Sequence, residues 1–473
     1  MQAKTTFLSE SEIRQIHQAS LSILARTGVR IGSDRICALL KSKGALVEGN
    51  FVRFPQEMVK EYLALVPHRL LLAARDQEHD IVLPELGRCF QATSGFSSSV
   101  MDMETNKLRK ATEADLAEIA ILADYLDMVD LFWPLVMPTD CHPRLEELVS
   151  LKAAFRYTSK HVQCSCSGEG VARWMVRMGE AVAGDKARLR KRPVFSGSFS
   201  PISPLYFDKY SVEAMAVLAE AGVPVAPMTM ASTGTKSPVT LAGSLALVHA
   251  EELAALLIVK AVNPAVPFIY AADVPPADMR SGIVDYSSPE YILLSTGLAQ
   301  LAAHLGIPSM VSHASIEAIP VDEASLQRNI LYASWGMMAG SDVSCWMGTF
   351  DNALGGSLIH LLKDAETCLQ AKAYVRSFEV NEETLALAAI DRIGPGGHFL
   401  ADPHTLENLH RDMWSRKWTE GFLVEWDEGL GYRDNLKRKV KEILATHRPV
   451  ALEKTLLQEM DKLLAAATDD LVQ

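Results

Sequence analysis

The segment from residue 222 to residue 271 constrains the fold more than any other part of the chain. An apolar run (223–230) is followed by a loop rich in Ser, Thr, Gly and Pro, then by a long helix-forming stretch (239–262) and a second apolar run (266–271). Apolar strands on both sides of one helix are typical of a parallel sheet that is covered on both faces. Because such folds build their sites at the ends of the strands, the polar loop indicates where a site lies.

The same alternation of apolar run and amphipathic helix repeats through the middle of the chain. Strands are predicted at residues 88–93, 129–137, 162–165, 193–197, 223–230, 266–271, 308–312 and 343–347. Helices are predicted at residues 112–126, 143–159, 169–184, 208–221, 239–262, 289–305, 322–339 and 357–376. This series predicts an α/β fold, a (β/α)8 TIM barrel. A doubly wound sheet is the alternative, but the run TSGFS after the first strand (93–97) lacks its glycine-rich fingerprint.

Changes in this pattern divide the chain into three predicted parts. They are a helical N-terminal extension, the barrel and a helical C-terminal tail (1–86, 87–392 and 393–473). Gly49-Asn50 predicts a hairpin in the extension. The tail begins with a Pro-Gly-Gly break and is rich in tryptophan, so we expect it to dock on the barrel or on another subunit of a homo-oligomer (Trp414, Trp418 and Trp426).

Composition limits the classes of partner. The formal net charge of −12 argues against nucleic acid and against an anionic membrane surface, and it is compatible with a cationic substrate. Seven cysteines, an odd number spread along the chain, do not look like a disulfide framework. Since the first residues lack the apolar segment of a signal peptide, we expect a cytoplasmic protein in a reducing environment.

Four segments in order along the chain carry a family resemblance. They read DMETNKLRKAT (102–112), PVTLAGSLALVHAEELA (238–254), ADMRSG followed by SSPE (277–290), and IGPGGHFLADPHT (393–405). Together they resemble the trimethylamine methyltransferase family, which moves methyl groups from amines to corrinoid proteins in methanogenic and acetogenic one-carbon metabolism. The resemblance implies a barrel whose mouth faces the corrinoid of a partner corrinoid protein, with cobalt(I) as the methyl acceptor.

The residues after the seventh predicted strand depart from the trimethylamine members, which carry pyrrolysine there. Here the chain reads VSHASIEAIPVDEAS (311–325), with ordinary residues throughout and a changed run around Ser315 and Ile316. This difference points to the pyrrolysine-free branch, whose substrates are quaternary amines such as glycine betaine. A quaternary amine leaves as a neutral tertiary amine, so its displacement needs in-line positioning and exclusion of water but no acid or base. We therefore expect methyl transfer from glycine betaine or a related betaine.

Recognition of a quaternary ammonium needs aromatic faces and negative potential, since the group has no hydrogen to donate. Aromatic candidates at the predicted strand ends are Phe96, Phe199, Tyr206, Tyr270, Trp346 and Phe350, and the alternative is that they fill barrel layers. Met228 and Met230 are expected to face the mouth with Tyr270. A substrate carboxylate would need a basic partner, for which His313 and Arg280 are the candidates. Glu251 lies in a family-like run and is placed near the substrate nitrogen, unless it belongs to a helix-pairing face.

Two other functions stay open from the sequence. Cys164 and Cys166, with His161 nearby, would suit a zinc-dependent hydrolase or thiol methyltransferase, although a CxC pair alone is a weak signal. Buried thiols that fill a barrel layer explain the same residues, so we expect no metal bound by this chain. The second alternative is a non-catalytic family member that binds betaines without turnover.

Overall fold

Eight parallel strands close into a barrel in the order in which they occur along the chain. The structure, a computed structural model, describes residues 5–95, 97–313, 323–414, 424 and 427–472, with the backbone alone at 323–326. The strands are β1 (Phe90–Thr93), β2 (Leu131–Phe132), β3 (His161–Ser165), β4 (Phe195–Phe199), β5 (Val225–Met230), β6 (Tyr270–Asp273), β7 (Ser309–Met310) and β8 (Val343–Met347). The predicted α/β barrel is confirmed.

One helix on the outside of the barrel follows each strand. These helices are α1 (Glu113–Tyr125), α2 (Glu146–Tyr157), α3 (Glu169–Ala183), α4 (Lys209–Ala221), α5 (Leu241–Val262), α6 (Pro289–Leu305), α7 (Glu323–Ala339) and α8 (Leu358–Val375). A short helix lies between α3 and β4 (Lys186–Lys191), and single 3-10 turns precede β1 and α2 (Gln77–His79 and Pro143–Leu145).

The sixth strand begins and ends later than the sequence predicts. Its regular ladder starts at Tyr270 rather than at residue 266. Pro267 lies in the predicted start, and proline has no N–H to donate to a neighbouring strand, so only an isolated bridge forms there, between Val225 and Phe268. The strand therefore runs on to Asp273, which the sequence pattern had placed in a loop.

Side chains alternate along the strands between the barrel interior and the surrounding helices. The interior holds an apolar cluster that a two-stranded hairpin (Leu70–Leu72 and Ile81–Leu83) extends. Members of the cluster from the barrel strands are Phe90, Ala92, Leu131, Ala226, Met228, Ala271, Met310, Val343 and Cys345. The barrel interior also contains a cluster of polar side chains. Ser196 Oγ donates to Gln163 Oε1 at 3.2 Å and lies 3.1 Å from His161 Nε2.

The first part of the chain packs against the outside of the barrel. Its helices are Glu10–Arg26, Asp34–Ser42 and Gln56–Leu63, and a four-stranded sheet joins Val29–Ile31, Leu46–Glu48, Phe51–Arg53 and Tyr206–Phe207. The hairpin predicted at Gly49-Asn50 forms by antiparallel pairing. Ser9 and Glu12 make a reciprocal capping box that begins the first helix, which then packs on α5.

A second four-stranded sheet joins the loops after β1 and β8, with strands Ser99–Met101, Leu108–Lys110, Thr349–Phe350 and Gly355–Gly356.

The C-terminal part of the chain is helical. After α8 come helices Leu387–Ile393, Pro403–Asp412, Tyr432–Thr446 and Lys454–Leu471, of which the last two pack on the barrel helices. Trp418 and Trp426 lie outside the described residues, and the three-part division at 86/87 and 392/393 stays a prediction.

In the described part of the chain, no helix combines the length and apolar character needed to cross a bilayer.

Candidate active site

A cavity of about 330 Å³ opens at the mouth of the barrel, where the strands end. Strands and the residues just after them supply Ser94, Trp133, Met228, Met230, Asp273, Ser312, Cys345 and Trp346. The loops supply Ser97, Ser98, Val284, Tyr286, Asn352, Ala353 and Leu354, and α6 supplies Tyr291. Met228, Met230 and Trp346 were expected at this mouth, and all three line the cavity.

Aromatic rings and methionine sulfurs form much of the wall. The rings of Tyr286 and Tyr291 meet edge to face, with centroids 5.1 Å apart, and the Tyr286 hydroxyl lies 3.6 Å from the sulfur of Met230. Trp346 borders the cavity at the end of β8, but it donates its ring N–H to Gln91 Oε1 at 3.2 Å, which directs the indole to the helix side of the strand. Such a wall has electron-rich faces and polarisable sulfur, and both favour a soft cation.

A glycine makes room for the second indole. A Cβ atom at Gly95 would lie 2.3 Å from Trp133 Nε1, far inside van der Waals contact. Any larger residue at this position would therefore push Trp133 out of its place in the cavity wall.

Asp273 is the last residue of β6 and the carboxylate of this cavity. Desolvation raises its pKa from the ordinary 3.8 to about 6, although the hydroxyls of Tyr291 and Tyr286 act in the opposite direction. Its Oδ1 atom is buried and has no hydrogen-bond partner among the described residues. A buried carboxylate oxygen without a donor is unfavourable in the free protein, and perturbed groups of this kind concentrate at functional sites.

The described lining contains neither a basic side chain nor an activated nucleophile. Burial raises the pKa of the Cys345 thiol to about 12, so the sulfur stays protonated at neutral pH. The Ser312 hydroxyl donates to the carbonyl of Cys345 and lies 3.3 Å from its sulfur. The cavity can therefore hold and orient a cation, but its described side chains offer no strong nucleophile to a reacting group.

The structure places Tyr270 away from the mouth, contrary to the expectation from the sequence. As the first residue of β6 it points outward, and its hydroxyl lies 3.0 Å from Nδ1 of His249 on α5. Nε2 of His249 in turn lies 2.9 Å from Nδ1 of His17 in the N-terminal helix Glu10–Arg26. Tyr270 thus joins the barrel to α5 and the N-terminal segment, because alternation along the strand gives residue 270 the face opposite to Ala271 and Asp273.

Three other predicted side chains are buried but do not line the cavity. His313 contacts the carbonyl of Val311 at 3.1 Å and packs against Gly336 of α7, and burial lowers its pKa to about 4. Phe350 stacks on His360 with centroids 4.9 Å apart. Phe199 is directed to the helix side of β4, beside Gly197. Phe350 and Phe199 thus have packing roles, whereas Nε2 of His313 is buried without a hydrogen-bond partner among the described residues.

The remaining predicted candidates also lie elsewhere. Both carboxylate oxygens of Glu251 are engaged, one by Ser203 Oγ at 2.8 Å and the other by the N–H of Leu205 at 2.6 Å. Arg280 is exposed on the loop after β6. Tyr206 carries the guanidinium of Arg30 at 3.7 Å from its ring centre, and Phe96 lies outside the described residues.

The cysteine pair does not assemble a zinc site with His161. On β3, His161 contacts Ser196 on the inner side, whereas alternation gives Cys164 the opposite face. Burial raises the pKa of both Cys164 and Cys166 well above the ordinary thiol value. Within the described ranges, no group of three His, Cys, Asp or Glu side chains is arranged to hold a metal ion.

Sequence reasoning missed the carboxylate and the three aromatic residues whose rings form the wall, namely Trp133, Tyr286 and Tyr291. Asp273 was hidden because the sixth strand was predicted to end at residue 271, and Trp133 lay inside a predicted strand that in fact ends at Phe132. Tyr286 and Tyr291 stand in and just after the family-like ADMRSG–SSPE segment, which was the available signal for them.

Comparisons with known proteins agree with this architecture. Residues 1–471 match the family described as trimethylamine methyltransferase (MTTB). The chain is 28% identical over 467 residues to trimethylamine methyltransferase MttB of Desulfitobacterium hafniense (strain DSM 10664 / DCB-2), with 98% of this chain and 94% of that protein covered. It is 26% identical over 466 residues to glycine betaine methyltransferase of Desulfitobacterium hafniense (strain Y51), covering 98% and 97%.

The fold has a counterpart among solved structures. Monomethylamine methyltransferase (MtmB) of Methanosarcina barkeri superposes with a TM-score of 0.50 at 11% identity, covering 99% of this chain and 95% of that one. This likeness concerns the fold alone. With the family match over almost the whole chain, the resemblance seen in the sequence is confirmed, and the protein belongs to the trimethylamine methyltransferase (MTTB) family.

Proposed function

We propose that this protein transfers a methyl group from a quaternary ammonium compound to the corrinoid of a partner protein. The observation that carries the proposal is the mouth cavity, in which aromatic and thioether side chains surround the single described carboxylate, Asp273. This combination favours a methylated cation through cation–π attraction and charge. Two relatives, named for trimethylamine and for glycine betaine, support an amine methyl donor.

In this proposal the cavity positions the substrate for a displacement at carbon. Trp133 and the tyrosine pair hold the charged nitrogen, and Asp273 offsets its charge in a site of low polarity. The docked corrinoid supplies a cobalt(I) methyl acceptor. One carbon–nitrogen bond breaks with its electron pair going to nitrogen, so a neutral tertiary amine departs and no proton has to move.

The chemistry of the lining fits an acceptor that comes from outside. Cys345 stays protonated because burial raises the pKa of its thiol, so it does not compete for the methyl group. The cavity opens at the mouth of the barrel, where a docked partner protein can approach the substrate. The ordinary residues of the 311–325 run support a mechanism without pyrrolysine.

The test is formation of a cobalt–methyl bond, followed by its absorption spectrum. The purified protein is mixed with reduced corrinoid, as free cob(I)alamin or on a corrinoid protein, and with choline, glycine betaine, tetramethylammonium or trimethylamine. We expect methylation with at least one quaternary amine, and at least a tenfold slower rate for Trp133→Leu. Binding of quaternary amines without methylation from any of them would instead identify a non-catalytic binder and overturn the proposal.

A further inference from the structure

We infer that the mouth cavity takes a quaternary amine that carries a hydroxyl group and no carboxylate, so that choline rather than glycine betaine represents its substrate class. The inference rests on the proposed function and makes its substrate specific. Two independent features of the cavity lead to it, namely the sign of its charge and the hydrogen-bonding state of Asp273.

The first feature is that the cavity offers a carboxylate no partner of opposite charge. Among the lining residues that the structure describes, Asp273 is the only charged side chain. A betaine would therefore bring a second negative charge into a low-dielectric space that already holds one, and the two would repel.

Two hydroxyl donors of the lining, those of Ser97 and Ser312, are already engaged. The Ser97 hydroxyl donates to the carbonyl of Leu354, and that of Ser312 donates to the carbonyl of Cys345. Holding a carboxylate with these two hydroxyls would require breaking both bonds and leaving two carbonyl groups unpaired. Such an exchange gains little, because an unsatisfied buried acceptor is itself unfavourable.

The second feature is the unpartnered oxygen of Asp273. Burial raises the pKa of the carboxyl group, and hydrogen bonds with Tyr291 and Tyr286 act in the opposite direction. The Oδ1 atom nevertheless receives no hydrogen bond from the described residues. Buried polar atoms are almost always satisfied, so an oxygen left open at a cavity points to a donor on the ligand. A fully methylated nitrogen has no N–H to give, whereas the hydroxyl of choline lies two carbons from the nitrogen and can donate to Oδ1.

A binding series without corrinoid tests the inference. Dissociation constants for choline, tetramethylammonium, trimethylammonium and glycine betaine are measured by calorimetry at pH 8. We expect choline to bind most tightly, and at least tenfold more tightly than glycine betaine. Glycine betaine binding as tightly as choline would overturn the charge argument, and tetramethylammonium or trimethylammonium binding more tightly than choline would overturn the hydroxyl argument.

Two variants locate the effect. Asp273→Asn should weaken choline at least tenfold and narrow or reverse its advantage over glycine betaine, because the repelling charge is gone. Asp278→Asn is the matched control, since this exposed carboxyl lies outside the cavity on the loop that follows Asp273. An equal loss for choline and glycine betaine in Asp273→Asn would contradict the inference.

Binding and turnover separate this inference from the proposed function. Tight choline binding with no methyl transfer from any quaternary amine would refute the methyltransferase proposal and leave the ligand class standing. Methyl transfer that prefers glycine betaine would support the methyltransferase proposal and refute the choline class.

Discussion

Asp273 illustrates how one residue can be unfavourable for folding and useful for binding. Its carboxyl is buried at the end of β6 and its Oδ1 atom lacks a hydrogen-bond partner within the described structure. Choline in the cavity would relieve both problems at once, because its ammonium group offsets the charge and its hydroxyl can donate to Oδ1. The residue could not be read from the sequence, since an aspartate after an apolar run looks like an ordinary loop residue until the strand end is known.

The first prediction concerns stability. Because the folded protein holds a proton on Asp273 up to a pKa of about 6 against the ordinary 3.8, the unfolded chain binds fewer protons in that window, and stability falls as the pH rises through it. Asp273→Asn should therefore raise the free energy of unfolding, by about 3 kcal/mol at pH 8 and about half of that at pH 5. Urea denaturation measures the change. A destabilised variant at pH 8 would show that the buried charge is compensated.

The second prediction concerns the pH dependence of ligand binding. Only the deprotonated carboxylate attracts a cation, so choline affinity should be constant above pH 7 and fall up to about tenfold per pH unit below about pH 6. Calorimetric titrations between pH 5 and pH 8 give the profile. In Asp273→Asn the profile should be flat, and a remaining inflection near pH 6 would assign the titration to another group.

The third prediction concerns the aromatic wall. Trp133→Leu should weaken choline binding by roughly 5- to 30-fold, as expected for a loss of about 1–2 kcal/mol of cation–π attraction. Tyr270→Phe is a matched control on a buried aromatic that points away from the cavity and contacts His249. It should leave the affinity unchanged, and an equal loss in both variants would mean that general packing controls binding.

At the scale of elements, α5 carries two buried carboxyl groups that hold neighbouring strands in place. Glu252 accepts from Thr229 Oγ1 of β5 at 2.5 Å and from the N–H of Ala271 of β6 at 3.2 Å. Glu251 reaches the loop after β4 in the same way. Burial raises the pKa of Glu251 to about 7 and that of Glu252 well above its ordinary value. These contacts hold the fold together, although the two glutamates stand in a stretch of sequence that suggested a functional site.

A fourth prediction follows for Glu252. In Glu252→Gln the amide oxygen can accept from the N–H of Ala271 and the amide NH2 can donate to Thr229 Oγ1, so the free energy of unfolding should change by about 1 kcal/mol or less. Glu252→Ala leaves a hydroxyl and an N–H unpaired in the core, and should lose about 3 kcal/mol. Urea unfolding of both variants decides the matter, and equal effects would show that the contacts contribute little.

Elements were far easier to predict than the site. Eight apolar runs alternate with helices along the chain. The length of each run and the helix pattern on either side of it identify it as a strand, so every unit of the barrel was predicted. Predicting the site residues requires the exact last residue of each strand and the face on which it lies. The sixth strand was predicted to end two residues too early, and Asp273 was missed for that reason. Trp346 was found because the eighth strand was placed at Val343–Met347, as observed.

On the scale of the whole molecule, residues 376–414 form an arm that leaves the barrel after α8. Two ion pairs within the arm support its shape, Arg392 with Asp402 at 2.7 Å and Arg411 with Glu383 at 2.9 Å. Its large apolar side chains are nevertheless exposed, namely Phe378, Val380, Leu385, Leu387, Ile390, Phe399, Leu400, Leu406 and Met413. Their exposed area is on the order of 1,000 Å², comparable with the ~800 Å² that each partner buries in a standard interface.

The fifth prediction is that this arm joins two copies of the chain. Light scattering after gel filtration should give at least twice the 51.8 kDa of one chain, and the double variant Phe378→Glu/Leu400→Glu should give a single chain. Leu86→Glu is the control, because this exposed leucine lies outside the arm. A wild-type protein that elutes as one chain at micromolar concentration would refute the interface.

The residues that surround the open oxygen of Asp273 come from one stretch of chain. Asp273 ends β6, Tyr286 lies in the following loop, and Tyr291 is in the first turn of α6. The other barrel units contribute walls of more general chemistry. In the proposed recognition of choline, substrate choice is set by this single short segment of the chain, and exchange of the segment between relatives would be the shortest evolutionary route to a new amine.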